Sequence, residues 1–130
     1  MHRVDVLIFV ESRYKVNRKK IKQAVESILH EQDIDQTAAI EVSVAIVGDR
    51  KMRSLSKKYK GEDKTRNVLS FSQTEGEPVK IEGNVLRLGD IVISYPQVIK
   101  EASKEEKLVD EKVNELVQHG LLHLLGIHHD

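Results

Sequence analysis

An α+β layered domain, with a mixed sheet of about four strands packed by helices and a metal site on its C-terminal helix, is the fold this sequence predicts. Three observations carry the prediction. Short β-branched runs alternate with stretches of helical period in the first half, two further strand-like runs follow, and the final third reads as helix. At 130 residues the chain has the size of one domain, 1–130, able to bury roughly two thirds of the surface that its unfolded form exposes.

Residues 3–10, RVDVLIFV, are short, apolar and β-branched, as a strand requires. Asn17 then caps a helix in which Ile21, Ala24, Val25, Ile28 and Leu29 recur at helical spacing and form a core-facing stripe. IEVSVAIVG puts Ile40, Val42, Val44 and Ile46 on one face of a second strand. Asp49 suits the N-cap of the next helix, with Met52, Leu55 and Tyr59 along one side. NVLSFS and GDIVIS read as two more strands. Between them TEGEPVKIEGNVLRL carries two glycines and a proline and reads as a hairpin or loop. Pro96 opens the helical final third, where Val109, Val113, Leu116, Val117 and Leu124 stand close to helical register. There are no internal repeats and no low-complexity linker.

The composition excludes several function classes. Basic and acidic side chains balance at 21 each, so no global field draws the protein to nucleic acid or membrane, and an anionic partner must be met by a local patch. With no cysteine, disulfides and thiolate metal sites are ruled out, which fits a reducing compartment. No apolar run approaches the roughly 20 residues of a membrane span and no signal peptide opens the chain, so a cytoplasmic protein is expected. Aromatics are only 4% of the residues, which leaves room for no more than a very small base-stacking surface.

The chain ends HGLLHLLGIHHD, and four of its six histidines fall in that stretch. Four positions on a helix turn a side chain by about 400°, so His119 and His123 project from nearly the same side and can grip one ion. Gly126 stands where a helix stops, after which the chain can turn back to offer His128 or His129. Three imidazoles with an open fourth position form a catalytic type of zinc site. Gly120 follows His119, so the glutamate of the HExxH zinc peptidases is missing and peptidase activity is disfavoured. His2 and His30 stand alone and read as solvated residues, His30 complementing a helix dipole.

The motif HGLLHLLGIHH resembles the signature HGxLHLxGxxH of the YbeY endoribonucleases, metal-dependent bacterial enzymes of ribosomal RNA maturation and ribosome quality control. YKGEDKTRNVLSFS (59–72) and LGDIVIS (88–94) look like the family's two other signature segments, in the same order. The resemblance makes His119, His123 and His129 the zinc ligands. It leaves His128 where the family usually has aspartate. Other departures are Lys60 for the family's arginine, Thr65 and Arg66 where Pro-Thr is common, and Ser72 for a proline. A lysine at 60 keeps the charge but not a bidentate grip on phosphate. Members usually continue with another helix after the third histidine, so His129 in this chain is expected to be ordered largely by the metal.

What the resemblance implies is a zinc-dependent endoribonuclease acting on single-stranded RNA, with ribosomal RNA and the ribosome or its proteins as partners and no membrane. Residues 50–66 supply the local patch, eight lysines and arginines against Glu62 and Asp63. Lys60 and Arg66 are the preferred phosphate contacts because they flank the strand that the resemblance brings near the metal. Lys60, His119 and His123 are the expected catalytic set. Residues 101–115 hold six acids against three lysines, a face RNA should avoid. Glu115, one turn before His119, reads either as a partner orienting an imidazole or as surface charge. Asp90, the lone acid of an apolar run, reads equally as a strand-end turn. Two other functions fit the residues: a ribosome-associated RNA-binding factor in which zinc is mainly structural, and a metallohydrolase for a small substrate.

Overall fold

A computed structural model describes residues 3–11, 13–32, 39–72, 81–82 and 85–127. The elements run β1 (Val4–Val10), α1 (Arg18–Glu31), β2 (Ala39–Val47), α2 (Asp49–Lys60), β3 (Val68–Ser72), β4 (Ile81–Glu82), β5 (Val85–Ser94), α3 (Tyr95–Lys104) and α4 (Val109–Leu124). The main sheet has the order β1-β2-β5-β3, with the two-residue β4 paired to β5. β1, β2 and β5 are parallel, and β3 runs antiparallel to β5, so the sheet is mixed and its α+β character is as expected.

The two periodicities meet in one core. Alternate residues of β2, Ile40 to Ile46, face the buried stripe Ile21, Ala24, Val25, Ile28 and Leu29 of α1 together with Val113, Leu116, Val117 and Leu121 of α4. On the other side of the sheet α2 packs, and its Met52 joins Val47, Leu69 and Val92 in a smaller cluster. On that second face Leu7 and Phe9 of β1 are exposed, Phe9 to 79%.

Two local expectations change. Asn17 does cap α1, accepting from the Lys20 amide at 3.1 Å. Asp49, however, is the first residue of α2 and Gly48 is its N-cap, because the Asp49 carboxylate is drawn away to other partners. Residues 85–88, read as part of a loop, are strand: β5 continues back through VLRL, which pairs with β2 along its length and with β4. A glycine-rich flank outweighed the alternation of Val85, Leu86 and Leu88 in the sequence. The helical final third is broken into α3 and α4, with Ser94 as the α3 N-cap and Pro96 in its first turn. Glu106 adopts a left-handed conformation at φ 56°, and the Lys107 amide donates back to the Ala102 carbonyl at 2.8 Å, which ends α3. Among the described residues no helix is long and apolar enough to cross a membrane.

Candidate active site

The site starts from the way α4 lies on the sheet. Its inner face buries Val113, Leu116, Val117, Gly120 and Leu121, which leaves His119 and His123 exposed one turn apart. Gly120 allows a close approach: a Cβ there would come within 2.8 Å of Ile91 Cγ2 on β5. A glutamate at 120 has no room, so the absence of the peptidase motif has a steric basis as well. α4 stops as the sequence predicts, at Gly126 with φ 77°. The Gly126 and Ile127 amides donate to the carbonyls of His123 and Leu122 at 3.0 and 2.9 Å, a Schellman closure that turns the chain directly after the second histidine.

β3 supplies the facing wall. Ser70 Oγ lies 3.0 Å from His123 Nδ1, a hydrogen bond that fixes the ring and commits that nitrogen. The cleft between β3 and α4 has a volume of about 200 Å³ and is lined by Lys60, Arg66, Val68, Ser70, His119 and His123 among others. It therefore brings together both histidines and both cations singled out in the sequence.

The cations reach the cleft from the two ends of one loop. Lys60 closes α2, which Gly61 ends at φ 67° with its amide donating to the Lys57 carbonyl. Arg66 comes back just before β3. Its Nε donates to the buried Ser56 hydroxyl at 3.0 Å and its Nη2 pairs with Glu62 at 2.8 Å, so the guanidinium is held in one orientation. The loop itself is tied down by Thr65, whose hydroxyl donates to Asp49 Oδ1 at 2.8 Å. Ser94 Oγ and Gln97 Nε2 donate to the same oxygen at 2.7 and 3.1 Å. Burial pushes the Asp49 carboxyl up, but the bonds from Ser94, Thr65 and Gln97 outweigh it and hold the group below its ordinary value.

Ion pairs divide the basic segment. Arg53 pairs with Asp63 at 3.7 Å and Lys64 with Glu62 at 2.9 Å, and the Lys64 bond, with Arg66 beside it, lowers the Glu62 pKa. Lys60 makes no ion pair among the described residues, which leaves it the uncommitted charge of the cleft.

Other candidates separate from the site. Glu115 does not turn to His119: its carboxylate goes to Lys107 and Lys112 at 3.0 and 2.7 Å, as a charge of the α3–α4 face. Asp90 sits in the middle of β5, so the strand-end turn is excluded, and it accepts from Ser43 Oγ at 2.7 Å. His30 is exposed in the last turn of α1, in keeping with a solvated residue. His2, His128, His129 and Asp130 lie outside the described residues. Among the described residues no group of three histidine, cysteine, aspartate or glutamate side chains stands close enough to hold one ion. Two imidazoles a turn apart, one braced by a hydroxyl, nonetheless have the donor chemistry of a borderline divalent ion such as zinc.

Sequence reasoning missed Ser70, Ser56 and Glu62. Ser70 carried a signal: it is a polar residue two positions after Val68, in the core-facing phase of its strand. Ser56 and Glu62 carried none, since their part depends on how the loop folds back.

The profile of the family described as Endoribonuclease YbeY matches residues 8–130. Among curated proteins, the chain is similar to the Endoribonuclease YbeY of Persephonella marina, 36% identical over 115 residues that cover 88% of this chain and 71% of that protein. The Endoribonuclease YbeY of Thermodesulfovibrio yellowstonii is 33% identical over 130 residues, covering 95% and 78%. Among solved structures, a solution structure of a Thermotoga maritima protein superposes with a TM-score of 0.59 at 23% identity, over 96% of this chain and 75% of that one, and shares its fold.

Proposed function

This chain belongs to the YbeY endoribonuclease family, and from that premise we propose that it is a zinc-dependent endoribonuclease that cuts single-stranded RNA in the cleft between β3 and α4, in the maturation and quality control of ribosomal RNA. The observation that carries the reading is the convergence of His119, His123, Lys60 and Arg66 on one cleft.

His119, His123 and the expected His129 would hold the ion, which supplies Lewis acidity that activates water near neutral pH. The chain's own groups do the rest. Ser70 engages Nδ1 of the His123 ring and so restrains the imidazole that would help hold the ion. Lys60, unpaired among the described residues, meets the phosphate as a point charge. Arg66, pinned by Ser56 and Glu62, presents a guanidinium already oriented, so little freedom is lost on binding. Together the two cations stabilise charge that builds on the phosphoryl oxygens during attack. Single strands are favoured because a backbone free to bend can enter a cleft of about 200 Å³ beside an edge strand, whereas a duplex is too wide.

Lys60→Ala separates cleavage from a mainly structural zinc. The variant is expected to retain wild-type zinc by metal analysis and lose RNA cleavage by about 100-fold, the scale of removing one electrostatic stabiliser. An unchanged cleavage rate would remove Lys60 from the mechanism. Full zinc loading without cleavage in the wild type would return the chain to the ribosome-associated binding factor.

A further inference from the structure

Among the described strands β3 is an edge strand, and the histidine cleft lies on the side to which Ser70 points. On the other face is a second pocket of about 440 Å³, walled by Leu55 and Tyr59 of α2, Phe71 of β3 and Val92 of β5, with Asp90 and Ser43 as its polar groups. A break in strand alternation puts Asp90 there. Leu86 and Leu88 of β5 pack on the core, and so do Ile91 and Ile93, so the two-residue period shifts between 88 and 91. The pairing with β2 slips at the same point, Glu41 opposite Arg87 and Val42 opposite Gly89. Gly89 has φ 141°, and a Cβ there would collide with the Phe71 carbonyl oxygen. Unbroken alternation would aim Asp90 into the core with Leu88; the bulge turns it to the open face.

On that face Asp90 stands in register with Ser43 on one side and Phe71 on the other. The Ser43 hydroxyl donates to Asp90 Oδ1 at 2.7 Å and orients the carboxylate. Tyr59 and Phe71, with ring centroids 4.6 Å apart, make an aromatic wall, and Tyr59 is 51% exposed. The chain has only three tyrosines and two phenylalanines, and two of these five stand at this pocket.

Pocket and cleft are linked by two pairs of sequence neighbours. Lys60 and Ser70 line the cleft, and Tyr59 and Phe71 line the pocket. Consecutive Cα atoms lie about 3.8 Å apart. Ser70 and Phe71 face opposite sides of the sheet, so an RNA strand held by its phosphate at Lys60 would cross the β3 edge to set a neighbouring base on the aromatic wall.

We propose that this second pocket is a nucleobase subsite selective for guanine, for the nucleotide beside the phosphate held in the cleft; the assignment rests on the RNA-cleaving reading above. An ionised carboxylate only accepts hydrogen bonds. Guanine offers two adjacent donors, N1–H and the 2-amino group, on its Watson–Crick edge. Adenine and cytosine set a ring acceptor beside their amino group, and uracil flanks N3–H with two carbonyls. Each of these turns a lone pair toward the carboxylate, which costs affinity. The aromatic wall serves any base, so Asp90 is the discriminating group.

The test is to titrate 5′-GMP, 5′-AMP, 5′-CMP and 5′-UMP into the full chain and follow the ring signals of Tyr59 and Phe71 by NMR. GMP is expected to bind at least about fivefold more tightly than the others, Asp90→Asn to cut that preference below about twofold, and Tyr59→Ala to weaken all four by about fivefold. No base preference in the wild type, or a preference unchanged in Asp90→Asn, overturns the subsite. Tyr59 is exposed, so its variant keeps the test decisive if Asp90→Asn loses its fold: unchanged GMP affinity there also overturns it. Absence of nucleotide binding at these rings overturns it too. Binding is read without cleavage, so the two readings fail separately. GMP preference with no RNA cleavage keeps the subsite and removes the nuclease; His123-dependent cleavage with no base preference does the reverse.

Discussion

Glu62 accepts from both Lys64 and Arg66, so it holds two cations that would otherwise face phosphate. Arg66 is also fixed by Ser56, so the cation for which an RNA phosphate competes with Glu62 is Lys64. Glu62→Gln is therefore expected to tighten binding of a short single-stranded RNA about threefold and to steepen its salt dependence by about 0.7 in log K per log salt, the increment of one more phosphate contact. Fluorescence anisotropy across a salt series reads both, and an unchanged slope would show that Lys64 does not meet the backbone. At this scale the sequence was informative wherever chemistry is local. His119 and His123 at i and i+4 and the Lys60 and Arg66 cations line one cleft, and Gly126 is the left-handed stop of α4. What the sequence left open is what depends on distant partners. Glu115 could face His119 or the α3 side, and only the packing of Lys107 and Lys112 decides for the latter.

Element boundaries show the same division. The α1 stripe and the β2 alternation were legible because burial on one face writes its own period. The start of α2 was misplaced by one residue because Asp49 is a good cap in isolation but is claimed by Thr65, Ser94 and Gln97. The first half of β5 reads as loop because Gly76, Pro78 and Gly83 precede it, and the bulge at Gly89 interrupts the period that would have joined the two halves. Between α3 and α4, Lys112 is buried, its side chain 7% exposed, and reaches Glu115, Glu105 and Glu101 at 2.7, 2.9 and 3.4 Å. Burial works against its charge, but the bonds to Glu115 and Glu105 outweigh that and raise its pKa. The same bonds hold the Glu105 and Glu115 carboxyls below their ordinary value. Lys112→Met leaves three carboxylates facing one another and is expected to cost about 2 kcal/mol at pH 7, less than the 3–5 of a fully buried pair because its partners are partly exposed. The pH dependence follows from the directions. A lysine with a raised pKa contributes stability below its unfolded value, near 10.4, and loses it only at more alkaline pH. Carboxyls with lowered pKa contribute above about 4.3 and lose it as the pH falls through their folded values. Thermal unfolding is expected to give a midpoint that is steady from about pH 7 to 5 and falls below about 4.3. The fall should be shallower in Lys112→Met, and an equally steep one would place the acid sensitivity elsewhere.

At the scale of the molecule, the fold sorts a neutral chain into regions of opposite charge. The basic α2 end and following loop stand beside the histidine cleft, while Glu101, Glu105 and Glu115 are gathered around Lys112 on the α3–α4 side. A net charge of zero conceals this separation, and the local counts in the sequence reveal it. The mixed sheet places β3 at its edge, so one strand serves the histidine cleft with Ser70 and the guanine pocket with Phe71. The central claim is that the cleft cuts unpaired RNA through its histidines. It is tested most directly by incubating zinc-loaded protein with a labelled RNA that has single-stranded and duplex regions, beside His123→Ala purified in the same way. Cleavage confined to the unpaired regions and absent from the variant is the predicted result. Equal cleavage by both proteins, or none by either, would contradict it.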